Sequence, residues 1–403
     1  MTEARSSASW ALAGIVFASV VVAAAAGAGT PLLSLYQRSW GFPVWQLTAA
    51  FTVYAVTLLL TLLAAGSLSD HIGRRPVLIG ALALMVIASV LFLIANQQVG
   101  GVIAARAVQG VATGAATSTF AAAIVELSSQ RRRRVMTAIT SAAPVGGLAI
   151  GALVTGVIID VVHDPTAIVF WTLMGMFVVG MISVVASKET SARSPGALAS
   201  LLPLLRVSWR ARRWFAALAP LTAAGWMFSG LFLGLAPTFD RTVFAVDSGA
   251  VNGIVVALQP ASAAVFSLAF SGLRAEPAAM IGAGLIAAGA LLAVAGVATA
   301  QLTIVGLGAI VGGAGQGAGF GSALRILAPL AKDSDRGGLF SAVYLIAYAS
   351  YGIPVFAAGS LAESLDLRGI VLAYGAVVAA LAAWALVSLT VTRRADLAGT
   401  SNT

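Results

Sequence analysis

The chain has 403 residues, of which 60% are hydrophobic and only 9% charged, and its mean hydropathy is +0.98. That leaves too little polar surface to cover a soluble globule of this length, so the sequence reads as an integral membrane protein. The formal net charge of +9 would suit a nucleic-acid binder, but the placement of the charges along the chain argues against one. With no cysteine and only His71 and His163 as histidines, disulfides and thiolate metal sites are ruled out and little remains to build a histidine metal site; no metal or cofactor is expected.

Eleven stretches free of Asp, Glu, Lys and Arg follow one another: residues 6–37, 39–69, 76–105, 107–125, 135–159, 165–187, 214–239, 248–273, 277–324, 337–362 and 369–392. Each reaches the roughly 20 apolar residues that carry a helix across a bilayer. The longest is broken by Thr299-Ala300-Gln301, so the eleven stretches predict twelve transmembrane helices and an all-α membrane fold. A β-barrel would show ten-residue alternation, which is absent. Arg5, the apolar stretch after it and Ala23 to Ala26 imitate a cleavable signal peptide, but removing them would leave eleven spans and spoil the charge distribution.

With the spans alternating in direction, eighteen Lys and Arg fall on one side, among them Arg5, Arg74, Arg75 and the run Arg131 to Arg134. Arg38, Arg241 and Arg368 fall on the other, while Arg106 and Arg325 lie inside predicted helices. The positive-inside rule then places both termini in the cytoplasm and the chain in the inner or plasma membrane of the cell. The Arg131 to Arg134 run reads as an anchor to the lipid bilayer, and no nucleic-acid partner is expected.

Between the second and third spans stands a polar island, Gly66-Ser67-Leu68-Ser69-Asp70-His71-Ile72-Gly73-Arg74-Arg75. A loop needs only polarity to stay in water. Glycine at both ends of an Asp-to-Arg spacing implies backbone contact between helices and a charge held in register. Glu126, near the end of the fourth span, is expected to pair with Arg74 or Arg75 rather than with substrate.

A charge inside the membrane is costly and therefore a functional candidate. Arg106 shares a helix face with Gln109 and Gly110 and is read as facing a cavity, the alternative being a side chain that reaches the interface. Arg325 stands eleven residues before Arg336, two to three turns into the tenth span, as an anion-binding or gating group or a donor to carbonyls near Pro329. No carboxylate lies near the middle of a predicted helix, which favours neutral or anionic solutes. Asp160, near the outer end of the fifth span, reads as a water-facing loop acid, the alternative being a proton-carrying site. Tyr344, Tyr348 and Tyr351 form a stripe on the eleventh span, either a binding wall or helix packing. Tyr36, Tyr54, Trp226, Asn252, Gln259 and Gln316 are further candidates for a cavity lining. Trp10, Trp40, Trp45 and Trp214 sit at span ends as interfacial anchors. The glycine run from Gly312 to Gly321 lacks the order and preceding strand of a nucleotide loop and reads as a helix-packing seam. Pro144, Pro260 and Pro354 should kink their helices.

Shifting the chain by 206 residues lays Pro31 on Pro237, Gly66 on Gly272 and Asp70 on Glu276; a shift of 205 lays Gly110 on Gly315, Gly114 on Gly319, Arg131 on Arg336 and Gly147 on Gly352. The chain is therefore expected to be two six-helix halves, residues 1–187 and 214–403, joined by a cytoplasmic linker at 188–213 that holds Pro195 and Pro203.

The island Gly66-x-Leu68-x-Asp70-x-x-Gly73-Arg74-Arg75 resembles the signature loop between helices 2 and 3 of the major facilitator superfamily, and the duplicated twelve-span layout resembles that family throughout. His71 stands where the family usually has Arg. Arg106-Ala107-Val108-Gln109-Gly110 is similar to the family's helix-4 motif, associated with proton coupling. Gly147-x-x-x-Gly151-Ala152-x-x-Thr155-Gly156 is similar to the helix-5 motif of its exporting antiporter branch, with Ala152 in place of Pro and Thr155 in place of one Gly. The resemblance implies a secondary transporter that rocks two halves around a midplane site, with Asp70 anchoring a gate network of Arg74, Arg75 and Glu126. The expected function is proton-coupled export of a small neutral or weakly anionic solute by a monomer. Proton-coupled metabolite uptake is the alternative, and a receptor or scaffold that moves nothing is a reading of another class. Neither a nucleotide loop nor an acid pair or nucleophile with its base is evident, so no catalytic residue and no enzyme is expected.

Overall fold

A computed structural model describes residues 2–131, 133–191, 195–197 and 205–400. Arg132 of the basic run and Arg193 and Pro203 of the expected linker lie outside the described residues. Within them there are twelve helices long and apolar enough to cross a membrane, and no strand.

The first six spans are α1 (Thr2–Trp40), α2 (Val44–Ala65), α4 (Arg74–Leu93), α5 (Val99–Leu127), α6 (Arg133–Val161) and α7 (Pro165–Ala186), with a short α3 (Leu68–Ile72) in the polar island. Chain punctuation sets their ends. Gly41 takes φ +71° after α1, a value that costs glycine nothing, and Pro43 precedes the first residue of α2. Asp164 caps α7, its carboxylate accepting the Ala167 N–H at 3.0 Å, with Pro165 at the first helical position.

The seventh span is α8 (Arg212–Gly230), a π turn (Leu231–Leu235) and α9 (Ala236–Phe244) in sequence. Pro237 has no N–H to close the α ladder, and the chain passes it by one wide turn. This carries the span past its predicted end at residue 239, to Phe244. The remaining spans are α10 (Gly249–Ala269), α11 (Ala275–Ala298), α12 (Leu302–Leu327), α13 (Asp333–Leu361) and α14 (Leu367–Thr400). Thr299-Ala300-Gln301 does separate α11 from α12, and Ala300 takes a left-handed φ of +54°.

The chain forms two compact units, Met1–Pro203 with Ser248–Ile254, and Leu204–Asp247 with Val255–Thr403. In the first, α1 packs on α5, α6 and α7, and α4 on α5 and α7. In the second, α8 packs on α12, α13 and α14, and α11 on α12 and α14. These five pairings correspond span for span, as expected of a duplicated sequence.

Apolar lipid gives helices no hydrophobic reason to associate, so close backbone approach carries the packing. A Cβ on Gly147 of α6 would stand 2.6 Å from the Val20 carbonyl of α1, and one on Gly114 of α5 would stand 2.5 Å from the Leu58 carbonyl of α2. In the second unit a Cβ on Gly282 of α11 would stand 2.8 Å from the Gly315 carbonyl of α12. The glycine run on α12 is thus a two-sided seam: Gly312, Gly315 and Gly319 meet α8 and α11, while Gly313 and Gly317 meet Gln259 and Ala263 of α10. Where rings replace glycines, Phe92 of α4 stacks on Phe170 of α7 at 4.4 Å, worth about 0.5–1.5 kcal/mol beyond burial.

Candidate functional site

The polar island is built around one half-buried guanidinium, that of Arg74. Gly73 turns the chain at φ +106°, a conformation that favours glycine, and the absence of a Cβ leaves room for Glu189 Oε2, which would otherwise stand 2.6 Å away. The turn aims Arg74 back along α3. Its Nη1 meets Asp70 Oδ1 at 2.5 Å and its Nη2 meets Glu126 Oε1 at 2.9 Å, with Nε donating to Glu126 Oε2 at 3.4 Å and Nη1 to Ser69 Oγ at 2.5 Å. Thr190 Oγ1 donates to Glu126 Oε2 at 2.5 Å, and Ser118 Oγ of α5 to the Gly66 carbonyl at 3.4 Å. Asp70, Arg74, Glu126 and both glycines are therefore brought together.

Arg75 is placed differently from the expectation. Its guanidinium donates to the Val185 carbonyl at the end of α7, satisfying a helix C-terminus instead of joining the carboxylates. Glu189 takes the place beside the turn, accepting the backbone N–H of Arg74 at 2.8 Å and of Arg75 at 3.0 Å. Burial opposes ionisation of Glu189, but backbone donors from Ser191, Arg74, Arg75 and Thr190 outweigh it and hold its carboxyl below the usual carboxylate range. A carboxylate at the start of α4 also meets the positive end of that helix. Glu189 was hidden in the sequence because its partners are N–H groups, which no side-chain pattern reports.

Deeper in the first unit, Arg106 is 1% exposed and Gln109 2%. Arg106 Nη1 donates to Gln109 Oε1 at 2.7 Å, its guanidinium carbon lies 4.4 Å from the Tyr54 ring centroid, and a Cβ on Gly29 of α1 would stand 2.6 Å from Nη1. Gly29 makes room for the charge, Tyr54 covers it, and Arg106 does not reach for the interface.

The glycines of the sixth helix divide by neighbour. Gly147 and Gly151 meet α1 at Ala23 and Ala24, whereas Gly156 meets Gly249 and Gly253, the start of α10 that belongs to the first unit. There Asp160 is a helix cap, unlike the free loop acid expected: it accepts from Ser248 Oγ at 2.6 Å, Gly249 N–H at 2.6 Å and Ala250 N–H at 3.0 Å.

In the second unit Arg325 falls in the last turn of α12 and is exposed, because the helix ends at Leu327 and does not run on towards Arg336. Its Nη1 donates to the carbonyls of Ser271 and Leu273 at 2.9 and 3.0 Å, and Nη2 to Ser322 Oγ at 3.0 Å. It is a donor to carbonyls, as one expectation had it, but those following α10 instead of those near Pro329. Gly272 and Glu276 mark the repeat of the island here, and Glu276 pairs with Arg393 of α14 at 3.4 Å. Trp214 is buried, its Nε1 donating to Asp396 at 2.9 Å, and is no interfacial anchor. Tyr344 and Tyr348 lie beside Tyr351, Trp226 and Phe320, near a hydrogen-bonded trio of Ser229, Gln259 and Gln316.

Asp240 escaped the sequence reading. It is 0% exposed and lies in α9, in the part of the seventh span beyond the π turn. The uncharged run ends at residue 239, so Asp240 falls just outside the span that the sequence predicts. Among the described residues it is the one buried acid, and Arg106 the one buried base.

Twelve spans, a repeated pairing of six and a charged turn between the second and third spans define a duplicated multi-pass membrane protein of the transporter class. The Major Facilitator Superfamily model matches residues 15–276, and the chain belongs to that family, whose members are transporters and not enzymes. Over 158 residues it is 34% identical to multidrug resistance protein MdtL of Escherichia coli O139:H28 (strain E24377A / ETEC), and equally to MdtL of Shigella dysenteriae serotype 1 (strain Sd197). Each match covers 38% of this chain and 38% of the relative. In fold it is similar to a POT family transporter in complex with 5-aminolevulinic acid (TM-score 0.74, 13% identity, covering 94% of this chain and 96% of that one). It is also similar to the human organic anion transporter MFSD10 (TETRAN) (TM-score 0.68, 15% identity, covering 94% and 99%).

Proposed function

We propose that this transporter exports a small neutral or weakly anionic solute in exchange for protons, by alternating access of two six-helix halves, as a monomer in the inner membrane with both termini cytoplasmic. The observation that carries the export direction is the α1–α6 seam, where Gly147 and Gly151 of the exporter-like motif meet the α1 backbone; the MdtL relatives are named multidrug resistance proteins, which fits that direction. The Asp70–Arg74–Glu126 cluster is the clamp of one gate: its ion pairs hold α3, α4 and α5 together in one state and part in the other. Arg106 and Asp240, the buried base and acid, are the groups through which proton binding acts on the cycle.

The test is transport in proteoliposomes under an imposed proton gradient of either sign. Export requires solute to move against the direction of the proton flow. Co-directional movement would establish uptake by symport, and no movement under either gradient, with solute bound, would establish a receptor.

A further inference from the structure

Five rings from three spans meet in the second unit. Trp226 of α8 lies 4.7 Å from Tyr348, 5.6 Å from Tyr351 and 5.5 Å from Phe320, centroid to centroid. Tyr344 continues the surface, 6.0 Å from Phe320 and 6.3 Å from Tyr348. The rings touch one another, so they make a wall with no gap for a cation between them. Trp226, Phe320, Tyr344 and Tyr348 are only half-buried, although on α13 the lipid-exposed side chains Leu345, Ile353 and Phe356 project from a different face of the helix. The uncovered part of the wall therefore lies on a different face of α13 from those exposed aliphatic and aromatic side chains.

The polar groups beside the wall leave both polarities unused: Gln259 Oε1 is a buried acceptor with no partner, whereas Gln316 and Trp226 offer donors. Gln316, one turn before Phe320 and 7% exposed, accepts at Oε1 from Ser229 Oγ at 2.7 Å and also from Gln259 Nε2. Its acceptor is occupied twice, while no described group accepts from its Nε2. Trp226 Nε1 has no acceptor either, and it is buried. Buried donors without partners are costly and call for an acceptor. None of the five rings or three polar side chains is an acid or a base.

We propose that this wall binds the solute, and that the solute class is an uncharged planar aromatic bearing a carbonyl-type oxygen, stacked on Trp226, Tyr344 and Tyr348 and accepting from Gln316 Nε2. The wall is assigned to transport only if the export reading holds; the binding stands by itself. Equilibrium dialysis of the purified full chain with 9-fluorenone, and with fluorene, which lacks the oxygen, tests it. Fluorenone is expected to bind at least about tenfold more tightly than fluorene. Gln316→Leu should remove that difference and leave fluorene affinity unchanged, and Tyr348→Leu should weaken both. Equal binding of the two compounds by the unsubstituted chain, or fluorenone binding indifferent to Tyr348→Leu, overturns the site. Fluorenone that binds as described yet is not expelled from loaded proteoliposomes overturns the export reading and leaves the site standing.

Discussion

The carboxylate of Glu189 accepts the backbone N–H of Arg74 at 2.8 Å across 115 positions of chain. The end of the first six spans is thereby tied to the start of α4, one residue from the turn at Gly73, and the tie holds the backbone while Arg74 engages Asp70 and Glu126 with its side chain. Removing the charge should loosen the turn without removing the ion pairs. Glu189→Gln is expected to lower the apparent melting temperature through the loss of charge-assisted bonds, each worth about 1.5–3 kcal/mol when buried and less where water reaches, as it does here.

The same group sets a pH dependence. Because the folded carboxyl of Glu189 is held below its ordinary range, its contribution is complete above the unfolded value, about 4.3, and is lost as pH falls through the folded value. Melting temperature measured from neutral pH down into that window should fall more steeply for the unsubstituted chain than for Glu189→Gln. Parallel curves would show that the carboxylate does not stabilise the turn.

Two glycines of α11 should respond in opposite directions. At Gly282 a Cβ would meet the Gly315 carbonyl at 2.8 Å, whereas at Gly284, on another face of the same helix, nothing lies within 4 Å. Gly282→Ala should cost about 1–3 kcal/mol by overpacking. Gly284→Ala should add up to about 1 kcal/mol by removing backbone freedom from a helix interior. Thermal unfolding of the two variants beside the parent checks both signs at once.

Asp240 is buried in a membrane span, so its substitution should separate coupling from binding. Asp240→Asn is expected to abolish transport driven by a proton gradient while solute exchange between the two faces, which needs no net proton movement, persists. Gradient-driven transport at the parent rate would remove Asp240 from the coupling scheme.

The fold was legible because burial in lipid leaves long uncharged runs, and because duplicated punctuation such as Gly110 and Gly315 survives where side chains do not. The clamp was legible to the extent that its partners are charged side chains: Asp70, Arg74 and Glu126 lie together. Arg75 was misjudged, and Arg325 was given the wrong carbonyls, because main-chain acceptors at helix ends have no sequence signature. Asp160 was missed for the complementary reason, its partners being the N–H groups that open α10. Asp240 was obscured by the π turn at Leu231–Leu235, which extends its helix past the point where the apolar pattern stops.

The central claim is that the ion pair between Asp70 and Arg74 is a working part of the transport cycle. The measurement is efflux, from proteoliposomes matched for protein content, of the solute that most raises the melting temperature of the purified protein, comparing the parent with Asp70→Asn. The account predicts that Asp70→Asn folds, expresses near the parent level and binds that solute, yet transports almost none of it. Full transport by Asp70→Asn would contradict the account.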